Sequence, residues 1–336
     1  MRIGIDAMGG DHAPVVEVQG ALAARAVLGP GDRIVLIGPE PLLRKHLPAA
    51  GGWEEFIELR HASEVVTMNE APVEALRSKP DSSLSVLTQM HRDGKLDAAV
   101  SAGNTGAFVA AAQMHLRRLR GVHRPGIAVV TPTPHGSVTV CDVGANVSCR
   151  PLHLHQYGVM ASLYASIVCG VANPRVGLLS IGEEDAKGNE LVKKARDLLR
   201  EEKSIRFIGN VEGRDIFSGA CDVVVCDGFV GNVVLKLMEG MGMTMLKGFI
   251  EDLRAAMPDH LDTVKKAAGR IMARYDFNEY GGAPLLGVGG ICIICHGASS
   301  AVGIQNAVRV AREFASRRLN ASITSMLSGR EKVAHA

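Results

Sequence analysis

Six short stretches of this sequence combine glycine with serine, threonine, asparagine or acidic residues, and each follows a run of apolar residues. Such stretches expose backbone N–H groups and neutral side-chain donors, which bind oxyanions such as phosphate. Glycine also serves ordinary turns, so one stretch alone would indicate little. Six together favour an anion site assembled from several loops. They are AMGGD (7–11), SAGNTGA (101–107), DVGAN (142–146), GEEDAKGN (182–189), DGFVGN (227–232) and HGASS (296–300).

Acidic residues flank the first of these stretches. Asp6 precedes it and Asp11 ends it, while Gly9 and Gly10 permit unusual backbone conformations or the close approach of a ligand. Because carboxylates repel an anion, we expect the two acids to orient neighbouring loops rather than to touch phosphate. The glycine amides would then form one wall of the site.

Two side chains could act on a reacting phosphate or carbonyl group. Lys187 lies in a glycine-bounded loop, where its ammonium could meet phosphate or a developing oxyanion; the alternative is a solvated loop lysine. Asn232 follows Gly228 and Gly231 near the predicted start of a helix. Its amide is therefore either a donor at the site or a helix N-cap.

Other catalytic and cofactor motifs do not account for the chain. It has no glycine-rich dinucleotide fingerprint after a strand, no P-loop, no G-x-S-x-G elbow and no H-E-x-x-H motif. His153 and His155 are better explained as packed or helix-terminal residues than as metal ligands, since no nearby cysteine or acid completes a set. Cys292 and Cys295, followed by His296, have the spacing of haem attachment, but the apolar run around them is typical of a buried strand. We therefore expect neither a metal nor a cofactor.

Eight apolar, β-branched runs must position these loops. The runs are continuous rather than alternating, which is typical of strands buried on both faces of a parallel sheet between helix layers. Ligands bind at the carboxyl ends of such strands, so we expect all six loops at one edge of the sheet. The prediction is an α/β fold, layered α/β/α, with a mostly parallel sheet. The predicted strands lie at residues 2–6, 33–38, 97–103, 137–144, 175–182, 204–210, 222–228 and 290–297.

One region lacks these apolar, β-branched runs. From Asn232 to about Tyr280 there is no strand signal, and apolar residues recur at helical spacing. The pattern predicts a helical hairpin that projects from a single catalytic domain spanning residues 1–336. The hairpin would either pack on its own domain or a twin subunit, or expose a methionine-rich surface to acyl chains, a membrane or a partner.

The composition bears on which classes of partner the protein binds and on which cell compartment it occupies. The formal net charge is +2 and aromatic residues make up 4 %, so we expect no nucleic-acid partner. The longest apolar helical stretch in the sequence, 15 residues from Gly158, is short for a bilayer span. With seven cysteines and no visible N-terminal signal, we expect a cytoplasmic protein.

Seven ordered motifs resemble the PlsX family of phosphate acyltransferases from Arg2 to about Arg317. The resemblance implies a fold similar to that of the isocitrate and isopropylmalate dehydrogenases. It also implies transfer of a long-chain acyl group from acyl carrier protein to inorganic phosphate, for phospholipid synthesis. One departure is Ser148, where the family usually carries an acid; we expect a surface or interface role there. The motifs are IDAMGGDHAP, SAGNTGA, DVGAN, GLLSIGEEDAKGNEL, FIGNVEGRDI, DVVVCDGFVGNVVLKLMEG, and GGAPLLGVGG with the later HG.

The resemblance also implies roles for individual residues. Lys187 and Asn232 would be catalytic. Arginines in the basic run 115–126 would dock the acidic carrier protein, unless that run is simply a solvated helix end. These arginines are Arg117, Arg118, Arg120 and Arg124. The phosphate or substrate site, in which Asp6 and Asp11 would orient the loops, would comprise Asp6, Gly9, Gly10, Asp11, Ser101, Gly103, Asn104, Thr105, Asp142, Asn146, Gly231 and His296.

Two alternative functions remain open at this point. One is a short-chain phosphotransacetylase that uses acyl-coenzyme A, and the other is a non-enzymatic scaffold that recruits lipid-synthesis partners to the membrane. The polar loops argue against a scaffold, which has no use for them. Expected partners of the enzyme are a second copy of the chain and the membrane-bound acyltransferase that uses acyl phosphate and glycerol 3-phosphate. Membrane association would be peripheral.

Overall fold

Within residues 1–275 and 277–328, which the computed structural model describes, eleven strands form one sheet. Residue 276 and residues 329–336 of the predicted domain lie outside this part. The strands are β1 (Arg2–Asp6), β2 (Arg33–Gly38), β3 (Ile57–His61), β4 (Ala98–Ser101), β5 (Gly126–Thr133), β6 (Gly136–Cys141), β7 (Arg175–Leu179), β8 (Arg206–Val211), β9 (Val223–Val225), β10 (Ala283–Leu286) and β11 (Cys292–Ile294). Their order across the sheet is β3-β2-β1-β4-β11-β10-β5-β6-β9-β7-β8.

Helices cover the sheet on both sides. They are α1 (Val15–Ala23), α2 (Glu40–His46), α3 (Pro72–Ser78), α4 (Ser83–Arg92), α5 (Thr105–His115), α6 (Pro151–Ile167), α7 (Glu190–Glu201), α8 (Gly228–Ala256), α9 (Leu261–Tyr275), α10 (Phe277–Tyr280), α11 (Ala301–Ser316) and α12 (Leu319–Ser328). Alternate residues of one strand face different layers: Ile34 packs in the cluster that contains α1 and α11, and Val35 in the cluster that contains α4 and α5. The layered α/β/α prediction is confirmed.

The eight predicted strands are all present, and three further strands were not predicted. β3 (IELRH) mixes charged and apolar residues, so it lacks the continuous apolar run of a buried strand. β10 has only four residues and includes Pro284. β5 follows the basic run directly and includes Pro132. Proline and short length both weaken a strand signal in a sequence.

The two halves of the sheet run in opposite directions. β1, β2, β3, β4 and β11 are mutually parallel, and so are β6, β7, β8 and β9. Between these sets, the pairs β11–β10, β10–β5 and β5–β6 are all antiparallel. Because these three antiparallel pairs each reverse the strand direction, the strands of the first set run opposite to those of the second. The prediction that all six loops share one edge is therefore wrong: the loops after β1, β4 and β11 lie at a first edge, and those after β6, β7 and β9 at a second edge.

The predicted helical hairpin consists of α8 and α9, joined by a 3₁₀ turn at Pro258–His260. α8 begins at Gly228, earlier than predicted, and has 29 residues. In the described part of the chain it is the one helix long and apolar enough to cross a membrane by length and composition alone. The apolar stretch that begins at Gly158 instead belongs largely to the buried α6. α9 contacts α8 and reaches β5, so the hairpin returns to the sheet.

Candidate functional site

At the first edge, Asp6 joins the loops that follow β1 and β4. Asp6 is 3 % exposed, and its Oδ2 accepts a hydrogen bond from Ser101 Oγ at 2.8 Å, while Oδ1 accepts one from Met8 N at 3.1 Å. Ser101 Oγ also accepts a hydrogen bond from Gly103 N at 3.1 Å. A Cβ on Gly9 would lie 2.6 Å from Gly103 N, so only glycine allows this approach. Asp6 therefore orients loop backbone.

Glu17 on α1 is a buried acid beside the same loop, and it belongs to none of the motifs in the sequence. It is 1 % exposed, its Oε1 lies against Gly10, and its Oε2 has no hydrogen-bond partner. Burial raises the pKa of Glu17 to about 7, and the carboxylates of Asp6 and Asp11 contribute to the increase. Burial also raises the pKa of Asp6. The available sequence signal was a single acid among the valines that begin α1.

Among the remaining predicted residues at the first edge, some hold the backbone in place and others are exposed to solvent. Asn104 is the N-cap of α5: its Oδ1 accepts a hydrogen bond from Ala107 N at 3.0 Å, and its Nδ2 donates to backbone carbonyls at 3.1–3.3 Å. The loops after β1 and β11 are joined by the hydrogen bond from Asp11 N to Gly297 O at 2.8 Å. The exposed residues are Asp11, Thr105 and His296.

At the second edge, Asp142 organises the loop after β6. Asp142 is fully buried. Its carboxylate accepts five hydrogen bonds of 2.8–3.2 Å, from Asn146 Nδ2 and from the backbone N–H groups of Ile127, Gly144, Ala145 and Asn146. Burial raises the pKa of Asp142, and these donors oppose the increase. The amides of the DVGAN loop thus face Asp142, which corrects the expectation that Asp142 and this backbone would themselves contact phosphate.

The first turn of α8 packs against the same loop. Gly228 N donates a hydrogen bond to Asn146 O at 2.9 Å. Gly231 lies so close to the carbonyl oxygen of Asp142 that a Cβ would collide with it. Asn146 Nδ2 also donates to Pro125 O at 2.6 Å. Asn146 and Gly231 therefore hold the start of α8 against the sheet, in keeping with the tight strand-to-helix turn that Gly228 and Gly231 predict.

Asn232 lies beyond the N-cap of α8. The cap is Asp227, whose Oδ1 accepts a hydrogen bond from Val230 N at 2.9 Å. Asn232 is exposed, and its Oδ1 lies 3.8 Å from the position that a Cβ on Gly144 would occupy. The N-cap interpretation is therefore wrong. The amide lies beside the DVGAN loop, where a ligand can reach it.

Lys187 lies in the loop after β7, and its side chain is exposed. Its methylene groups pack over Gly182, and its backbone N–H donates to Glu184 O at 3.0 Å. β7 and β9 are parallel neighbours in the sheet, and the loop that leads to Asn232 follows β9. Lys187 and Asn232 are therefore brought to the same edge, which is not the edge of Asp6 and Ser101.

The four arginines of the basic run lie beyond the end of α5 rather than in its last turn. α5 ends at His115, and the backbone then turns at Arg117, which has a φ of 62°. The Arg118 guanidinium donates a hydrogen bond to the carbonyl oxygen of His123. All four arginine side chains are exposed. The arrangement is a basic loop, not a helix end.

The basic loop borders the second edge. It leads into Pro125, whose carbonyl oxygen accepts the hydrogen bond from Asn146. Arg124 lies near the start of α6, where burial, and then the charge of Arg124, lower the pKa of His153. The basic loop therefore places Arg124 close to the DVGAN loop.

The histidines and cysteines considered as possible metal or haem ligands are hydrogen-bonded or buried within the fold. His155 Nε2 forms a 2.9 Å hydrogen bond with Glu202, and His153 Nδ1 accepts a hydrogen bond at the start of α6. Cys292 and Cys295 are buried, and burial raises the pKa of the Cys295 thiol to about 12. Among the residues described, no group of three histidine, cysteine or acidic side chains is arranged to hold a metal ion.

Comparison with known proteins identifies close relatives across almost the whole chain. Residues 1–322 match the family described as fatty acid synthesis protein. A protein of Desulforamulus reducens named phosphate acyltransferase is 47 % identical over 331 residues, 97 % of each chain. One of Heliobacterium modesticaldum with the same name is 48 % identical over 337 residues, 98 % of each chain. One of Geotalea uraniireducens is 45 % identical over 329 residues, covering 97 % of this chain and 94 % of that protein.

Solved structures resemble the fold. A phosphotransacetylase from Streptococcus pyogenes superposes with a TM-score of 0.65 at 16 % identity, and EutD phosphotransacetylase from Staphylococcus aureus with a TM-score of 0.60 at 15 % identity. Each comparison covers 94 % of both chains. At these identities the likeness establishes the α/β fold alone.

Proposed function

Because this chain belongs to the fatty acid synthesis protein family, whose relatives are named phosphate acyltransferase, it is an acyltransferase, and we propose that its acyl donor is a long-chain acyl thioester of acyl carrier protein. The acceptor would be inorganic phosphate, and the product an acyl phosphate for phospholipid synthesis. The observation that carries the proposal is the identity of 45–48 % with these relatives over 97–98 % of the chain.

The proposed reaction needs no covalent intermediate on the protein. Phosphate is already an oxyanion at neutral pH. One of its oxygens attacks the thioester carbonyl carbon, and negative charge develops on the carbonyl oxygen of the tetrahedral intermediate. The C–S bond then breaks, and the thiolate leaves with the electron pair. The protein must hold the two reactants together and stabilise the oxyanion.

Lys187 and Asn232 are suited to these two tasks. An ammonium and an amide donor at one edge can bind phosphate and the developing oxyanion, and both side chains are exposed to a ligand. The first edge is less suited to phosphate because Asp6, Asp11 and Glu17 put three carboxyl groups beside its glycines. We therefore assign the phosphate to the second edge and a loop-ordering role to Asp6.

The basic loop favours acyl carrier protein over a small thioester as the donor. Acyl carrier proteins are acidic, and four exposed arginines next to the second edge would attract one electrostatically. A short-chain transferase that uses acyl-coenzyme A remains the alternative, with the distant phosphotransacetylase fold as its support.

The hairpin supports two further parts of the proposal. Its exposed apolar side chains would pair with a twin subunit, and its tip would lie shallowly in a membrane interface, close to the membrane-bound enzyme that consumes acyl phosphate. The cell compartment would be the cytoplasm. The exposed apolar residues of α8 include Met241, Met243, Met245 and Phe249.

A direct assay tests the reaction. Purified protein is incubated with phosphate and the palmitoyl thioester of acyl carrier protein, and acyl phosphate is trapped with hydroxylamine. We expect hydroxamate that depends on phosphate, and faster turnover than with palmitoyl- or acetyl-coenzyme A. Higher kcat/KM with acetyl-coenzyme A would favour the short-chain alternative, and no product from any donor would contradict the enzyme.

A further inference from the structure

The loop that carries Lys187 buries few of its own side chains. Residues 183–187 are all exposed, and the Lys187 side chain packs only through its methylene groups, over Gly182. The backbone forms a turn in which Lys187 N donates a hydrogen bond to Glu184 O at 3.0 Å. Because an exposed loop has little packing to fix it, its conformation depends on hydrogen bonds to groups outside the loop.

Asn210 holds this turn from the sheet. It lies near the carboxyl end of β8, paired with Leu178 of β7, and is 7 % exposed. Its Nδ2 donates a hydrogen bond to Glu184 O at 3.1 Å. The same carbonyl oxygen accepts the backbone N–H of Lys187. One carbonyl group therefore links a buried side chain of the sheet to the backbone of the exposed lysine.

The stability of the fold does not by itself account for an amide at this position. Asn210 Oδ1 is buried, and no residue that the structure describes donates a hydrogen bond to it. A buried acceptor without a partner lowers the stability of a protein, so such a group calls for an explanation. Asn210 belongs to FIGNVEGRDI (207–216), one of the seven motifs that resemble the phosphate acyltransferases. A need for its Nδ2 donor at the loop explains the amide.

Arg196 of α7 holds the same loop from the helix layer. Its guanidinium donates a hydrogen bond to the carbonyl oxygen of Asp185, the residue that follows the one held by Asn210. The Arg196 side chain is 12 % exposed. The Asp185 carboxylate in turn accepts a hydrogen bond of 2.7 Å from Arg200. Two successive carbonyl groups just before Lys187 are thus held from opposite sides.

We propose that Asn210 and Arg196 are positioning residues, which fix the backbone that carries Lys187 so that its ammonium meets the reacting groups. The inference rests on the proposed function and gives the FIGNVEGRDI motif a part in it. Displacement of a catalytic group by about 1 Å can lower a rate about 100-fold. Loss of either hydrogen bond should therefore lower kcat, while the carrier protein, docked at the basic loop, should bind as before.

The test uses Asn210→Asp, which has the same shape but replaces the donating Nδ2 with an oxygen that repels Glu184 O. With the palmitoyl thioester of acyl carrier protein, we expect kcat to fall at least about tenfold and KM to stay within about twofold. In a protein that already carries Lys187→Ala, the same substitution should change kcat by less than about twofold, because the group that it positions is gone.

Two further variants complete the test. The matched control is Asn306→Asp: the half-buried Asn306 of α11 donates from Nδ2 to Asn278 O at 3.0 Å, and α11 packs against α1, not against the Lys187 loop. Its kcat should stay within about twofold of the wild-type value. Arg196→Met removes the donor on the other side of the loop. It should lower kcat with the same dependence on Lys187, and it keeps the test open should Asn210→Asp fail to fold.

Two outcomes would overturn the inference. One is a wild-type kcat in either loop variant, and the other is an equal loss with and without Lys187, which would reveal a merely structural effect. Hydrogen exchange separates this inference from the proposed function. If no donor yields acyl phosphate, but the Lys187 amide exchanges at least about tenfold faster in Asn210→Asp than in the wild-type protein, the positioning is supported and the reaction is not. Unchanged exchange would contradict the positioning.

Discussion

Lys187 and Asn232 come from different loops and lie at the same edge because β7 and β9 are parallel neighbours in the sheet. Replacing Lys187 with Ala should lower turnover about 100-fold or more, as expected for loss of one oxyanion-stabilising donor. The assay is hydroxylamine trapping at saturating phosphate. The matched control is Lys193→Ala, an exposed lysine of α7. Near-normal activity of Lys187→Ala would remove this residue from the mechanism.

Because Asn232 is not the N-cap of α8, substituting it should separate an effect on activity from an effect on stability. Because Asp227 caps α8, Asn232→Asp should change the free energy of unfolding by no more than about 0.5 kcal/mol. Turnover should nevertheless fall, since a carboxylate would replace an amide donor beside phosphate. Urea unfolding and the trapping assay measure the two quantities. A stable and fully active variant would contradict the proposed role.

Glu17 should make stability depend on pH. Its pKa is about 7 in the folded protein against an ordinary value of 4.5, so the folded state holds the proton more strongly than the unfolded state. Stability should therefore fall as the pH rises from 4.5 to 7, by up to about 1.4 kcal/mol per pH unit. Glu17→Gln should lose this decline, in urea unfolding at pH 5, 6, 7 and 8.

The exposed Glu201→Gln variant provides the control for Glu17. Its difference from the wild-type protein should be the same at each pH. If the difference for Glu17→Gln were also constant across the range, the buried carboxyl would not be the group that titrates.

Among the elements of the fold, α8 exposes several large apolar side chains. Met245 is 63 % exposed and Phe249 is 55 % exposed, on a helix that the fold leaves mostly uncovered. Substituting both residues with Glu should release the protein from liposomes in flotation, while soluble acyl transfer persists. Size-exclusion chromatography distinguishes the two proposed roles of the hairpin. Loss of the dimer would assign these residues to the subunit interface, and unchanged flotation would leave the hairpin as ordinary packing.

The sequence predicted where the strands lie better than it predicted how they pair and in which direction they run. Continuous apolar runs such as RIVLIG coincide with buried strands, because burial on both faces requires apolar residues at every position. The direction of one strand relative to another depends on its pairing partners, and no local pattern encodes this. β10 is short, yet its two antiparallel pairs, with that of β5–β6, separate the loops into two edges.

The same limit applies to the candidate site. Residue type correctly suggested that Asp6 orients loops, since a carboxylate beside glycine amides needs donors. It could not reveal that the amides after Asp142 turn inward to that carboxylate, nor that Asp227 and not Asn232 caps α8. These assignments depend on which N–H group lies within hydrogen-bond distance of each side-chain acceptor. The same local sequence is compatible with several such hydrogen-bond patterns.

At the scale of the whole molecule, the basic loop should determine how a protein substrate approaches. Reversing Arg117 and Arg118 to Glu should raise the KM for acyl carrier protein and flatten its salt dependence, with little change in kcat. The control is the pair Arg60→Glu and Arg77→Glu, which makes the same charge change on exposed residues of the first half. An unchanged KM at low ionic strength would exclude this loop as the docking surface.

The place of β10 and β11 in the sheet also has a consequence for synthesis of the chain. These strands, residues 283–286 and 292–294, fill the gap between β4 and β5, so a ribosome must complete most of the protein before the two halves can join. Until then β4 and β5 each present an unpaired edge, and such edges pair readily with other chains. The long sequence separation of these contacts also slows folding. A truncated product that ends before residue 283 should therefore aggregate rather than persist as a half-molecule.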